Sequence, residues 1–185
     1  MSSFLKLNKN IHILVFFLTF FLVGFFIFSD YGISIDEDKT RLNGFISLEY
    51  IFKIFIPNQV AEINKMIAGE INTNYGMMIT TDVVTSGIVF DLPLALLELI
   101  FQIDDSREYF LLRHFSNFLI FFVSVYFFFK LVKNRFNSWV LGIIGTLFLI
   151  ISPRIFADSF YNNKDIVFMS LFIINLFTAT KFLEK

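Results

Sequence analysis

Cysteine is absent from this 185-residue chain, which excludes disulfides, thiolate metal sites and a cysteine nucleophile. Charge is scarce. Asp, Glu, Lys and Arg make up 17% of the residues, where a soluble domain carries about a quarter. With a formal net charge of -1 there is no basic excess to neutralise phosphodiesters, so nucleic acid is not an expected partner. No Gly-rich phosphate loop is present, and there is no internal repeat, low-complexity tract or long linker. What the chain does have is apolar. Hydrophobic residues reach 56%, mean hydropathy is +0.71, and Phe alone occurs 29 times. One globular core does not need so much Phe, whereas lipid-facing helices accept it freely. The composition is that of an all-α integral membrane protein.

About 18 to 20 apolar residues at 1.5 Å rise cross the hydrocarbon core. Ile11 to Phe28 meets this, with His12 as its one titratable group, and gives a first span over 11–29. The following Ser29-Asp30-Tyr31-Gly32 is no small-residue cleavage site, so the helix is retained. Further spans are expected at 110–130, at 138–151 with Trp139 as interfacial anchor, and at 166–182. Between the first two lies a large loop, 30–107. Within it Phe45–Ile56 carries a helical apolar stripe, with Glu49 and Lys53 paired at i,i+4, and Pro57 ends it. A second short helix carries Val60, Ile63, Ile67 and Ile71, and Asn72–Gly76 is turn-like. Both helices suit the membrane interface plane. Val83–Phe101 is long enough to cross, but Asp91, Pro93 and Glu98 interrupt it. If it does not cross, Lys6, Lys9, Lys130, Lys133, Arg135, Lys181 and Lys185 all fall on one side, as the positive-inside rule asks. It is therefore read as interfacial or re-entrant. The N-terminus is then cytoplasmic, in a multi-pass protein of the plasma (inner) membrane.

With that topology Asp36, Glu37, Asp38, Arg41, Arg107, Arg113, Arg154, Asp158 and Asp165 emerge together on the outer face. Three consecutive acids, Asp36-Glu37-Asp38, cannot be buried in hydrocarbon without large cost, so they face water or a polar cavity. The bland reading is a solvated surface loop. The sharper one is a carboxylate poised as general base, with arginines presenting planar donor forks to a lipid phosphate. Asp165 opens the fourth span, where a helix N-terminus favours negative charge. Other groups have plainer roles available. Arg107 and Glu108 suffice to pair with each other, Arg113 to snorkel, and Arg154 to anchor the third span. His114 is interfacial, and Asn117 and Asn175 glue helices together.

The run Gly32-Ile-Ser-Ile-Asp36-Glu37-Asp-Lys-Thr-Arg41-Leu-Asn-Gly44 resembles the first outer loop of GT-C glycosyltransferases. It is closest to the bacterial members grouped with protein mannosyltransferases and lipid A aminoarabinose transferases, of the family 39 type. Tyr109-x-x-x-Arg113-His114 and Ser152-Pro153-Arg154-Ile-Phe-Ala, ending in Asn163-Lys164-Asp165, are similar to that family's next two segments. The order and spacing of all three blocks fit, and they cover most of the chain.

The resemblance implies a hexosyl or pentosyl transferase. A polyprenyl-phosphate sugar is the donor, and an acceptor hydroxyl attacks the anomeric carbon with inversion. By position Asp36 is implied as the base, Glu37 as its support and Asp165 as the second-loop acid, with Asp158 a rival. Arg41, Arg113, Arg154 and Asp158 are implied at the substrate. A free Asp near pKa 4 is a weak base, so the proton moves late, coupled to C–O bond formation. No cofactor is required. Some branches hold a divalent cation between the two loops, for which Asp36, Asp38 and Asp165 supply oxygens. Family members carry about twice as many helices or more, so the chain is expected to be an N-terminal fragment without transferase activity alone. Two other readings stand beside this one. A transporter places ionisable residues at helix centres, and here those centres carry no Asp, Glu, Lys or Arg. A non-catalytic membrane assembly protein would use the interfacial helices to hold a partner.

Overall fold

The computed structural model describes residues 2–74 and 87–184. In chain order the helices are α1 (Ser2–Ile27), α2 (Glu37–Phe55), α3 (Val60–Asn74), α4 (Asp91–Phe101), α5 (Ser106–Phe136), α6 (Trp139–Ile151), α7 (Pro153–Tyr161) and α8 (Asp165–Leu183). No strand occurs among the described residues, in line with the all-α expectation. Residues 75–76 of the expected turn and 83–86 of the interrupted run lie outside the described residues, as does the side chain of Ile71.

Three stretches are long and apolar enough to cross a membrane: Lys9–Asp30, Ser106–Phe136 and Asp165–Leu183. A fourth crossing results if α6 and α7, bent by 70° at Ser152, count as one broken span. Alone, the 13 residues of α6 reach about 20 Å, short of the roughly 30 Å core. Two expectations need adjustment. Residues 152–165 are not simply loop, because α7 occupies most of them. Ser152 stands at its N-cap position and Pro153 at its first turn, where a missing N–H costs nothing. The span expected at 110–130 is the middle of a longer helix, since polar residues at both ends continue the α5 backbone.

The chain forms two compact units, Met1–Gly32 with His114–Lys185, and Ile33–Arg113. The first, the span unit, is packed with aromatic rings. Phe17, Phe20, Phe118, Phe121, Phe129 and Phe160 are buried in one cluster. Gly24 allows α1 to approach α5, because a Cβ there would fall 2.0 Å from the Phe118 ring. Gly142 and Gly145 do the same for α6, against Phe129 and Val132 of α5. At one end His12 stacks on Trp139, their ring centroids 6.1 Å apart. Other rings, such as Phe26, Phe148 and Phe168, face outward as lipid-facing residues do.

The second, the loop unit, holds α2, α3, α4 and the first turns of α5. Phe45, Leu48 and Phe52 of α2 pack with Ile63 of α3 and Ala95 of α4. The Glu49–Lys53 pair forms at 2.8 Å. Helix α4 covers only about 17 Å with its 11 residues, too short to span.

Candidate functional site

The polar interior of the loop unit is built by three helices. On α4 the buried residues are Asp91, Leu94, Ala95 and Glu98, spaced i, i+3, i+4, i+7. The two acids therefore lie on the stripe that faces the core. On α2 the buried face begins with Glu37, Thr40, Arg41 and Gly44 and continues into Phe45 and Leu48. Gly44 lets the two helices touch: a Cβ there would sit 2.6 Å from the Asp91 carbonyl oxygen.

Glu98 is fully buried and serves two cations. Arg41 Nε donates to its Oε2 at 2.7 Å, and Arg113 Nε donates to its Oε1 at 2.9 Å. Arg113 Nη1 also donates to Asp91 Oδ1 at 3.1 Å. The Arg41 guanidinium lies 3.6 Å from the centroid of the Tyr109 ring and 4.9 Å from that of Phe45. Two acids and two bases balance to zero formal charge, which is what allows all four to leave water. Arg113 Nη2 is buried without a hydrogen-bond partner.

Asp36 stands at the N-cap position of α2, six residues beyond the end of the first apolar stretch. Its side chain is about half exposed and comes within 3.8 Å of Lys39 Nζ, while Glu37 beside it is buried. Asp38 is partly buried, and its carboxyl is held above the usual range by desolvation, which outweighs the opposing pull of Arg41; the charge of Glu37 adds to the rise.

The remaining candidate residues belong to the span unit. Arg154, 87% exposed, reaches Asp158 Oδ2 at 3.7 Å. Asp165 and Asn162 bond to each other twice across the turn between α7 and α8. Asn162 Nδ2 donates to Asp165 Oδ2, and the Asp165 backbone N–H donates to Asn162 Oδ1, both at 3.1 Å. Asn117 Nδ2 donates to the Asp158 carbonyl at 3.2 Å, which joins α5 to α7 as a gluing residue would. A nearly wholly apolar cavity of about 570 Å³ lies in the crook of the α6–α7 bend. Phe16 and Phe20 of α1, Ile150 and Ile151 of α6, and Pro153 and Phe156 of α7 line it.

The structure therefore brings Asp36, Glu37, Arg41 and Arg113 into one unit and Arg154, Asp158 and Asp165 into the other. Asp91 and Glu98 were read in the sequence only as interruptions of an apolar run. Their signal was their place on the same helical stripe as Leu94 and Ala95. Among the described residues no group of three or more His, Asp or Glu side chains converges as a metal site would. No family model, characterised protein or solved structure matches this chain.

Proposed function

We propose that this chain is a GT-C-type glycosyltransferase, or part of one, that moves a sugar from a polyprenyl-phosphate donor to an acceptor hydroxyl at the outer face of the plasma membrane. One observation carries the reading. The residues of the first two blocks on which the resemblance rests, Arg41, Gly44, Tyr109 and Arg113, meet in the folded loop unit around Glu98 and Asp91. They hold helix α2, which carries Asp36 at its start, against α4 and the first turns of α5.

In this reading Asp36 takes the acceptor hydroxyl proton while the acceptor oxygen bonds to the anomeric carbon. The bond from that carbon to the phosphate oxygen breaks, and polyprenyl phosphate leaves with the electron pair. Arg41 and Arg113 act chiefly by position, since Glu98 and Asp91 hold both guanidinium groups inside the loop unit. Arg154, 87% exposed on the surface of α7 with Asp158 beside it, is a cation open to a phosphate. The apolar crook next to Pro153 offers room for the first isoprene units of the donor. Asp165, bonded to Asn162, holds the turn between α7 and α8.

The test is sugar transfer from a radiolabelled polyprenyl-phosphate sugar in membranes that express the native reading frame to its own stop. Asp36→Asn should lower transfer by about 10²- to 10⁴-fold, the usual contribution of a general base. Limited proteolysis of the loop unit should stay unchanged. Transfer at the unsubstituted rate, or none by the native protein, would leave the assembly-protein reading in its place.

A further inference from the structure

A second cavity, of about 510 Å³, lies within the span unit between the last turns of α5 and α8. Its walls are Leu131 and Val132 of α5 and Leu176 and Phe177 of α8, and its rim holds Asn134 and Arg135. That size is ordinary for a ligand site. The chemistry is divided, with an apolar slot at one end and cationic donors at the other.

The charge around the cavity is not balanced internally. On its rim Lys181 is paired with Glu184, Nζ to Oε2 at 2.6 Å, so these two cancel. Arg135 has no acid within ion-pairing distance among the described residues. Lys130 adds to it, its Nζ standing 5.6 Å from the centroid of Phe177, one of the wall rings. The local field is therefore positive over a hydrophobic slot. Both helices end here, and their terminal carbonyls disfavour an anion on either axis. An anion would have to be held by side chains at the rim, where Arg135 and the Asn134 amide lie.

The depth of the cavity is also marked. It opens at the last turn of α5, which carries Lys133 and Arg135, and Trp139 begins the next helix, stacked on His12. An indole at a helix start marks the headgroup level of a bilayer. A slot for acyl chains and a guanidinium at headgroup depth fit one class of ligand. We propose that this cleft binds an anionic phospholipid, with the phosphate on Arg135 and an acyl chain between Leu131, Val132, Leu176 and Phe177. The lipid comes from the leaflet that the positive-inside rule assigns to the cytoplasm. The site is independent of the transferase reading.

Chain 1–185 in nanodiscs, with phosphatidylglycerol and phosphatidylcholine in equal amounts, provides the test, read by native mass spectrometry after mild detergent transfer. The chain should retain phosphatidylglycerol about tenfold over phosphatidylcholine. Arg135→Glu should abolish the preference. Leu131→Trp, which fills the slot, should lower retention of both lipids while Arg135 stays in place. Equal retention of the two lipids by the unsubstituted chain would overturn the proposal, and so would a preference that survives Arg135→Glu. Circular dichroism of each variant separates lost binding from lost fold.

Discussion

The two units of this chain solve the same packing problem with opposite materials. In the span unit the contacts are rings on rings. Phe118 stacks on Phe160 at 5.3 Å and Tyr31 on Phe160 at 4.4 Å, with glycines set where helices must close in. Lipid is as apolar as Phe, so burial from water drives none of this, and shape and dispersion must do it. In the loop unit a smaller apolar cluster sits beside five buried acidic and basic residues, Glu37, Arg41, Asp91, Glu98 and Arg113. A charged network is poor glue but strict in its geometry, since each member is costly unless its partner is in place. One unit can tolerate imprecision of contact; the other cannot.

The sharpest way to break the comparison is Glu98→Ala. It leaves Arg41 and Arg113 buried beside each other without the carboxylate they share, and removal of one partner from a buried pair costs about 3–5 kcal/mol. Hydrogen exchange should show the loop unit opening while the cores of α1, α5 and α8 stay protected. Equal protection in both units would mean that the charges contribute nothing. Next in size is Phe118→Ala, which removes a fully buried ring from the aromatic cluster. Such losses run to about 3–5 kcal/mol in water, and the cost here should be nearer 2 because lipid offers no hydrophobic penalty. The expected signature is reversed, with the span unit destabilised in a detergent titration and Glu98 still protected.

The smallest effect concerns Asp38. Its folded carboxyl is raised above the ordinary 3.8, so the folded state binds that proton more tightly than the unfolded one. Protonation therefore favours folding. The contribution is present below 3.8, fades as pH rises toward the raised value, and is absent above it. Asp38→Asn should flatten the stability–pH profile of the loop unit in that window and leave the profile of the span unit untouched. An unchanged loop profile would show that Asp38 does not couple to folding.

Much of the span unit was legible in sequence, because uninterrupted apolar runs have a single reading at these lengths. The interfacial helices were legible too, from their stripes, although α2 begins at Glu37 and not at Phe45. The acids Glu37 and Asp38 in its first turn are a helix-start signal in their own right. Helix α7 was also signalled, by Ser152-Pro153, but a proline after an apolar run reads equally well as a loop. What sequence could not offer was the charge pairing. Arg41 and Glu98 lie 57 residues apart, and the 15 from Glu98 to Arg113 are spaced by no helical period. The acids on α4 therefore looked like defects. Arg41 and Arg113, read as phosphate ligands, are engaged with these acids in the fold.

A carboxylate shared by two arginines also imposes an order of events. Residue 41 emerges from the ribosome long before residue 98, and Arg113 comes last, already on the helix that re-enters the apolar phase. Until that last arginine arrives, two acids would compete for one base, and water is the cheaper host for all of them. The loop unit can thus close only once α5 has begun to form, so its completion is timed to the making of the second membrane helix.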